Sequence, residues 1–179
     1  MKRQLIRSNI IDAQGDALIY STNVRLALTG GVGAALLERF GLAIQNELLC
    51  CSGGTGRQMA EVGDVFETRS PGMPWKIIFH TVATDELYYT RPETVLAILR
   101  KCVRRCVELA SIKSVITSPL GAGYGDLDLN KFVRIADQVC DEYDESSVQS
   151  FAVVCRDVEE FDRLSKAARA INENWKQQG

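Results

Sequence analysis

Short apolar runs of the strand type alternate with amphipathic helical segments along most of the chain. Three such runs are "DALIYSTN" (16–23), "SVIT" (114–117) and "SFAVVC" (150–155), and a helical pattern follows each of them. "GDVFETRS" and "WKIIFHTVA" indicate two further strands joined by a turn at "PGMP". Strands that alternate with helices of ten or more residues predict an α/β fold with a mostly parallel sheet covered on both faces. Because no repeat, low-complexity tract or long linker divides the sequence, we expect residues 1–179 to form a single domain.

Four helices are predicted from apolar periodicity and from their start and stop residues. They are "VGAALLERFG" with Gly41 as its stop, the segment from Pro92 to Ser111, the segment from about Asp128 to Tyr143, and a helix that starts at Asp157 and runs toward Trp175. Asp157 and Glu160 have the spacing of a capping box.

Charge and composition exclude several classes of function. The formal net charge is −2 and the pI about 5.5, so no global positive field would gather nucleic acid or an anionic membrane. An anionic ligand would have to be held locally, by backbone amides acting at contact distance. No apolar run approaches the roughly 20 residues of a membrane helix, and we expect a cytoplasmic protein.

Neither a metal nor a cofactor is predicted. The six cysteines form no Cys-x-x-Cys pair, and several fall at apolar positions, which favours reduced, buried thiols. The only histidine, His80, lies within a strand and is expected to be a core residue rather than a general base.

Two glycine loops follow strands and precede helices: "NVRLALTGGVGAAL" and "SPLGAGYGDLDLN". Parallel strands with right-handed crossovers would open both loops onto one edge of the sheet, where open α/β sheets bind ligands. Glycine lets main-chain N–H groups approach phosphate oxygens closely, although a glycine also serves simply to make a tight turn. "GGTGRQ" (53–58) lacks the lysine of a Walker A loop and is predicted to be a surface connection.

The order of these motifs resembles the macrodomains, which bind ADP-ribose and in some branches hydrolyse its derivatives. "DALIYSTN" is similar to the family strand "DAIVNAAN", "TGGVGAAL" to its "GGGVDGAI" loop, and "SPLGAGYGDL" to its diphosphate loop. "VGDVFETRSPGMPWKIIFHTVAT" resembles the family strand pair. The resemblance implies a three-layer α/β/α sandwich with a mixed, mostly parallel central sheet.

The resemblance also implies roles for particular residues. The diphosphate loop would be Leu120, Gly121, Ala122, Gly123 and Tyr124, with Tyr124 on the distal ribose, and the facing amides would belong to Gly30, Gly31 and Val32. Asn23 would hydrogen-bond the distal ribose, although a turn or capping role explains an asparagine there equally well.

Three positions depart from the family pattern. Asn9 stands where the family aspartate accepts a hydrogen bond from adenine, Tyr20 replaces the first asparagine of the strand motif, and Gly33 replaces the aspartate of the hydrolytic branch. Asp126 is a candidate catalytic carboxylate by its place after the diphosphate loop.

Three functions are therefore compatible with the sequence. The leading hypothesis is binding of ADP-ribose or a close derivative, free or on a modified protein. The second is hydrolysis of a 1″-phosphate or O-acyl ester of ADP-ribose, with Asn23 orienting a water and the substrate phosphate assisting. The third is a protein-interaction module that has lost the nucleotide.

Overall fold

The computed structural model describes residues 1–53, 59–69 and 72–179. The surface connection predicted at "GGTGRQ" lies outside the described residues except for Gly53, and so does the first residue of the "PGMP" turn.

A seven-stranded sheet forms the centre of the described structure, in the order β3-β4-β2-β5-β6-β1-β7. Every neighbouring pair is parallel except β3 with β4, which is antiparallel. This sheet is mixed and mostly parallel, as predicted. The strands are β1 (Lys2–Arg7), β2 (Ala17–Thr22), β3 (Val65–Thr68), β4 (Ile77–Val82), β5 (Ser114–Thr117), β6 (Ser150–Cys155) and β7 (Trp175–Gln178).

Helices cover both faces of the sheet, which gives three layers. The helices α1 (Gly31–Phe40) and α2 (Leu42–Cys51) pack on one face, where the even-numbered residues of β2 point. The helices α3 (Pro92–Glu108), α4 (Leu129–Glu142) and α5 (Val158–Ile171) pack on the other face, against the odd-numbered residues of β2. A short 3₁₀ helix, Ile10–Asp12, follows β1.

Residues at the helix ends account for the predicted boundaries. Asp128 caps α4 through the N–H groups of Asn130 and Lys131, and Asp157 caps α5 through that of Glu160. Gly41 ends α1 with a φ of 73°, a conformation that glycine adopts without a Cβ clash.

The C-terminal prediction was wrong in one respect. The helix that starts after Asp157 ends at Ile171, and Trp175 begins β7 instead of ending that helix. The Trp175 indole is buried and its Nε1 donates to Asp137 on α4 at 2.8 Å, which holds the segment in the sheet. The strand β1 and the helix α2 were not predicted.

Four of the six thiols are buried, as the sequence indicated. They belong to Cys102, Cys106, Cys140 and Cys155, whereas Cys50 and Cys51 at the end of α2 are exposed. Burial raises the pKa of the Cys106 and Cys140 thiols to about 12, so they pack as apolar groups.

The parallel strands bring five chain segments to one edge of the sheet. The C-terminal ends of β4, β2, β5, β6 and β1 lie there side by side. Within the described ranges, none of the helices combines the length and the hydrophobicity that a membrane crossing requires.

Candidate functional site

An open cleft with a volume of about 740 Å³ runs along this edge of the sheet. Residues that follow all five neighbouring strands line it: Ser8 and Asn9 after β1, Asn23 after β2, Thr84 after β4, Ser118 after β5 and Arg156 after β6. Such a position is the usual ligand site of open α/β sheets. The volume suits a nucleotide-sized ligand.

The first glycine loop, residues 23–31, is shaped by the Asn23 side chain. Its Oδ1 accepts the N–H groups of Arg25 at 3.0 Å and Ala27 at 3.2 Å, and its Nδ2 donates to the Ala27 carbonyl at 2.7 Å. The turn role that the sequence left open for Asn23 is therefore present. An amide carries two N–H donors, and the second N–H of Asn23 has no partner among the described residues.

A side chain from α2 holds the same loop from behind. Gln45 donates from Nε2 to the Leu26 carbonyl at 2.8 Å, and its Oε1 accepts the Leu28 N–H at 2.9 Å. Both the oxygen and the nitrogen of the Gln45 side-chain amide are thus used to fix the backbone that leads into α1.

The helix α1 directs its N-terminus at the cleft. Gly30 precedes it without a capping side chain, and Gly30, Gly31, Val32 and Gly33 all line the cleft. The first amides of a helix point along its axis and carry partial positive charge, which attracts anions. A Cβ on Gly33 would lie 3.3 Å from the Leu28 Cα, so the residue here packs closely against the backbone.

The second glycine loop folds around the carbonyl oxygen of Gly121. This oxygen accepts the N–H of Leu127 at 3.0 Å and the hydroxyl of Thr90 at 3.4 Å. Gly121 has a φ of 72°, and a Cβ at Gly121 or Gly125 would overlap with Thr90. A Cβ on Gly123, by contrast, would meet nothing within 4 Å. The loop therefore exposes its tip to the cleft.

The ring of Tyr124, which belongs to the second glycine loop, lies close to the first glycine loop. A Cβ on Gly30 would lie 3.2 Å from its Cε2 atom, and one on Gly31 would lie 3.6 Å from it. Tyr124 nevertheless remains 73% exposed, and its ring centroid lies 6.2 Å from that of Tyr88. Tyr88 and Tyr124 thus border the cleft at its β4 side.

The other end of the cleft lies beside β6 and β1. Asn9 caps the 3₁₀ helix by accepting the Ile11 N–H at 3.4 Å, and Arg156 and Glu160 follow β6. Burial, and secondarily the charge of Asp157, raise the pKa of Glu160. Among the described residues that line the cleft, Glu160 is the only one with a carboxylate side chain.

Eight of the predicted site residues line this cleft together: Asn9, Asn23, Gly30, Gly31, Val32, Gly121, Gly123 and Tyr124. Leu120 does not, because its side chain is buried in the core, and Ala122 packs against the same core. Asp126 does not line the cleft either, since its Oδ1 accepts the Thr90 N–H at 2.7 Å and fixes the neighbouring loop. The candidate base is thus a structural residue in this arrangement.

His80 lies away from the cleft in the core, as expected. Its Nδ1 pairs with the Tyr20 hydroxyl at 2.5 Å and its Nε2 with the Thr68 hydroxyl at 2.8 Å. Burial lowers the pKa of His80 to about 3, so the imidazole is neutral at physiological pH. Tyr20 departs from the family motif, and its hydrogen bond with the buried His80 gives a tyrosine at this position a structural role. No cluster of three or more metal-ligating side chains occurs within the described ranges.

The sequence missed Tyr88, Arg156 and Glu160 as cleft residues. Arg156 follows directly on a predicted strand, and the strand-end rule that selected the glycine loops applies to it as well. Tyr88 gave no signal, because its loop contains no glycine.

Comparison with known proteins relates this architecture to one family. Residues 19–136 match the model of the family described as Macro domain. An uncharacterized protein of Mycobacterium tuberculosis is 25% identical over 129 residues, which are 72% of this chain and 34% of that protein. The chain thus spans about a third of the length of the curated relatives it matches.

Solved macrodomain structures share the fold. The Trypanosoma brucei macrodomain in complex with ADP-ribose superposes with a TM-score of 0.75 at 22% identity, over 90% of this chain and 67% of that one. The Oceanobacillus iheyensis macrodomain with ADP gives a TM-score of 0.77 at 18% identity, over 93% of this chain and 90% of that one. The family match covers well over half of the residues, and the chain therefore belongs to the Macro domain family.

Proposed function

We propose that this protein binds ADP-ribose or a close derivative, free or attached to a macromolecule, in the cleft between its two glycine loops. The observation that carries the proposal is the pairing of the uncapped N-terminus of α1 with the exposed tip of the second loop. The complexes of related macrodomains with ADP and ADP-ribose support the same ligand.

The diphosphate would lie between the loops. The amides of Gly31 and Val32 at the start of α1 attract anionic oxygens, and the tip around Gly123 leaves room for a phosphate. Local amides are needed because the net charge of −2 provides no attraction at long range.

The remaining groups of the ligand would lie on either side. The second N–H of Asn23 suits a distal ribose hydroxyl, and the exposed Tyr124 ring offers a surface for that ribose. The nucleobase would lie toward Asn9, Arg156 and Glu160 at the β6 and β1 side. Asn9 offers a neutral amide where an aspartate would supply a charge-assisted bond, which reduces affinity for adenine by about tenfold or less.

Binding is better supported than turnover. Gly33 has no carboxylate, and its close approach to Leu28 leaves little space for one. Asp126 is held by Thr90, and Glu160 follows β6 at the nucleobase side of the cleft, with β5 between β6 and the strand β2 that Asn23 follows. The hydrolytic alternative thus depends on the substrate phosphate alone to activate water. We expect no product when the protein is incubated with ADP-ribose-1″-phosphate or O-acetyl-ADP-ribose.

Calorimetric titration tests the proposed ligand. ADP-ribose should bind more tightly than AMP, ADP or NAD. Gly123→Glu should abolish this binding, because it fills the loop tip and adds a negative charge, and it should leave the melting temperature unchanged, since a Cβ there meets nothing within 4 Å. Leu42→Glu adds the same charge on exposed α2, outside the cleft, and should bind normally. Normal binding by Gly123→Glu would remove the second loop from the site.

A further inference from the structure

Four exposed apolar side chains lie together at the β4 side of the cleft: Leu87, Tyr88, Tyr89 and Tyr124, called here the aromatic rim. They make up half of the eight exposed large hydrophobic side chains in the described part of the chain. Leu87 is 87% exposed, more than any of the others. Grouped exposed apolar side chains mark interaction sites, whereas single ones are ordinary.

The loop that carries three of these side chains is fixed in place. Asp85 accepts the N–H groups of Leu87 and Tyr89, both at 2.9 Å, and its own N–H donates to the Tyr89 carbonyl at 3.2 Å. The next residue, Thr90, is tied to the second glycine loop through Asp126 and Gly121. The aromatic rim is therefore held by the same network of hydrogen bonds that shapes the cleft.

The loop also holds an unfavourable backbone conformation. Tyr88 has a φ of 62°, in the left-handed region that a tyrosine rarely adopts and that costs on the order of 1–2 kcal/mol. The hydrogen bonds of Asp85 hold the residue in this conformation. Strain of this kind clusters at binding sites. Here the strained residue lines the cleft and also contributes to the rim.

Charge around the aromatic rim selects the kind of partner. The two segments that contain it, 85–93 and 124–128, include five carboxylates and one arginine. Arg25 of the first glycine loop lies 3.9 Å from Glu86 and offsets part of this charge. A polyanion such as a nucleic acid would be repelled by this surface, whereas a basic peptide would be attracted. Tyrosine faces additionally bind lysine and arginine through cation–π contacts.

We infer that the aromatic rim docks a basic polypeptide segment, so that this site takes ADP-ribose attached to a peptide whose flanking residues are lysines and arginines. The inference rests on the proposed function, because a ligand ribose beside Tyr124 places whatever is attached to it next to the rim. Tyr88 and Tyr124 belong to both surfaces, and the peptide would continue from them onto Leu87 and Tyr89.

The test compares four probes by calorimetry: free ADP-ribose, a peptide with ADP-ribose on one serine and basic flanks, the same peptide with glutamate flanks, and an ADP-ribosylated single-stranded oligonucleotide. The basic peptide should bind about fivefold or more tightly than free ADP-ribose. The advantage should decrease as salt is raised, because surface attraction is screened.

The double variant Leu87→Ser/Tyr89→Ser separates the rim from the cleft, since neither side chain lines the cleft. It should lose the advantage of the basic peptide while keeping the wild-type affinity for free ADP-ribose. Leu42→Ser, at an exposed apolar residue on α2, serves as the matched control and should change neither.

The possible outcomes are distinguishable. Equal affinity for all peptides and free ADP-ribose, or a preference for the glutamate-flanked peptide or the oligonucleotide, would overturn the inference and leave the proposed function intact. Failure of the wild-type protein to bind free ADP-ribose or any of the modified probes would overturn both.

Discussion

Gly121 and Gly123 lie two residues apart in one loop, yet different physical constraints act on them. Gly121 needs to be glycine for its φ of 72° and for its contact with Thr90. Gly123 has free space around it and no such backbone requirement. The first glycine shapes the loop, and the second leaves room for a ligand.

This difference predicts opposite effects on stability. Gly121→Ala should lower the free energy of unfolding by about 2–4 kcal/mol, because it combines a left-handed φ with overlap against a packed side chain. Gly123→Ala should leave the free energy of unfolding within about 0.5 kcal/mol of wild type. Urea unfolding monitored by circular dichroism measures both. Equal stability of the two variants would mean that the loop around Gly121 is not held as described.

The side chains of Asn23 and Asp126 show which features of the site the sequence could and could not predict. The sequence identified Asn23 and Asp126 by position, but it could not assign the direction of their side chains. Asn23 holds its own loop while lining the cleft, whereas Asp126 holds the neighbouring loop and does not line the cleft. Hydrogen bonds between distant loops decide such cases, and a linear sequence does not display them.

At the scale of elements, α2 links the core to the cleft. Its inward residues Ile44 and Leu48 are fully buried, and Gln45 beside them binds the Leu26 and Leu28 backbone. The helix is thus anchored in the core on one side, and through Gln45 it holds the loop that leads into α1.

Gln45→Ala should therefore weaken ligand binding without touching the ligand. Loss of two side-chain hydrogen bonds should cost about 1–2 kcal/mol of stability and should speed hydrogen exchange at the Leu28 amide. We expect the affinity for ADP-ribose to fall about 3- to 10-fold, because the loop must be ordered on binding. Hydrogen exchange followed by NMR, together with calorimetry, provides the measurements.

Asn46→Ala is the matched control, since Asn46 is exposed on the next position of the same helix. It should change neither the exchange rate nor the affinity. An unchanged Leu28 exchange rate in Gln45→Ala would contradict the role of α2 in holding the loop.

The elements that the sequence missed share a physical cause. The strand β1 contains lysine and two arginines, and one of these, Arg3, is buried against carboxylates of α4. The strand β7 is "WKQQ", whose only large apolar residue is Trp175. The helix α2 follows α1 after Gly41 alone, so no loop separates their patterns. Tertiary contacts, rather than local periodicity, define these three elements.

At the scale of the whole molecule, the position of the two glycine loops on one edge of the sheet was predictable, because parallel crossovers determine which loops share an edge. The β1 side of the sheet was not, and this side contributes Ser8 and Asn9 to the cleft. It is joined to the rest of the molecule by a buried polar network. Asp137 on α4 accepts hydrogen bonds from Arg3 at 2.6 Å, Trp175 at 2.8 Å and Asn172 at 3.2 Å, all through Oδ1.

Removal of Asp137 should therefore destabilise the molecule as a whole. Asp137→Ala leaves the buried Arg3 guanidinium without its buried partner, which should cost about 3–5 kcal/mol in the free energy of unfolding. Asp141→Ala removes the other carboxylate paired with Arg3, but Asp141 is 65% exposed, so its loss should cost about 1 kcal/mol or less. Urea unfolding of both variants measures the difference. A similar decrease in the free energy of unfolding of the two variants would show that the burial of Asp137 adds nothing to stability. The β1 and β7 side of the sheet would then be held by apolar packing instead.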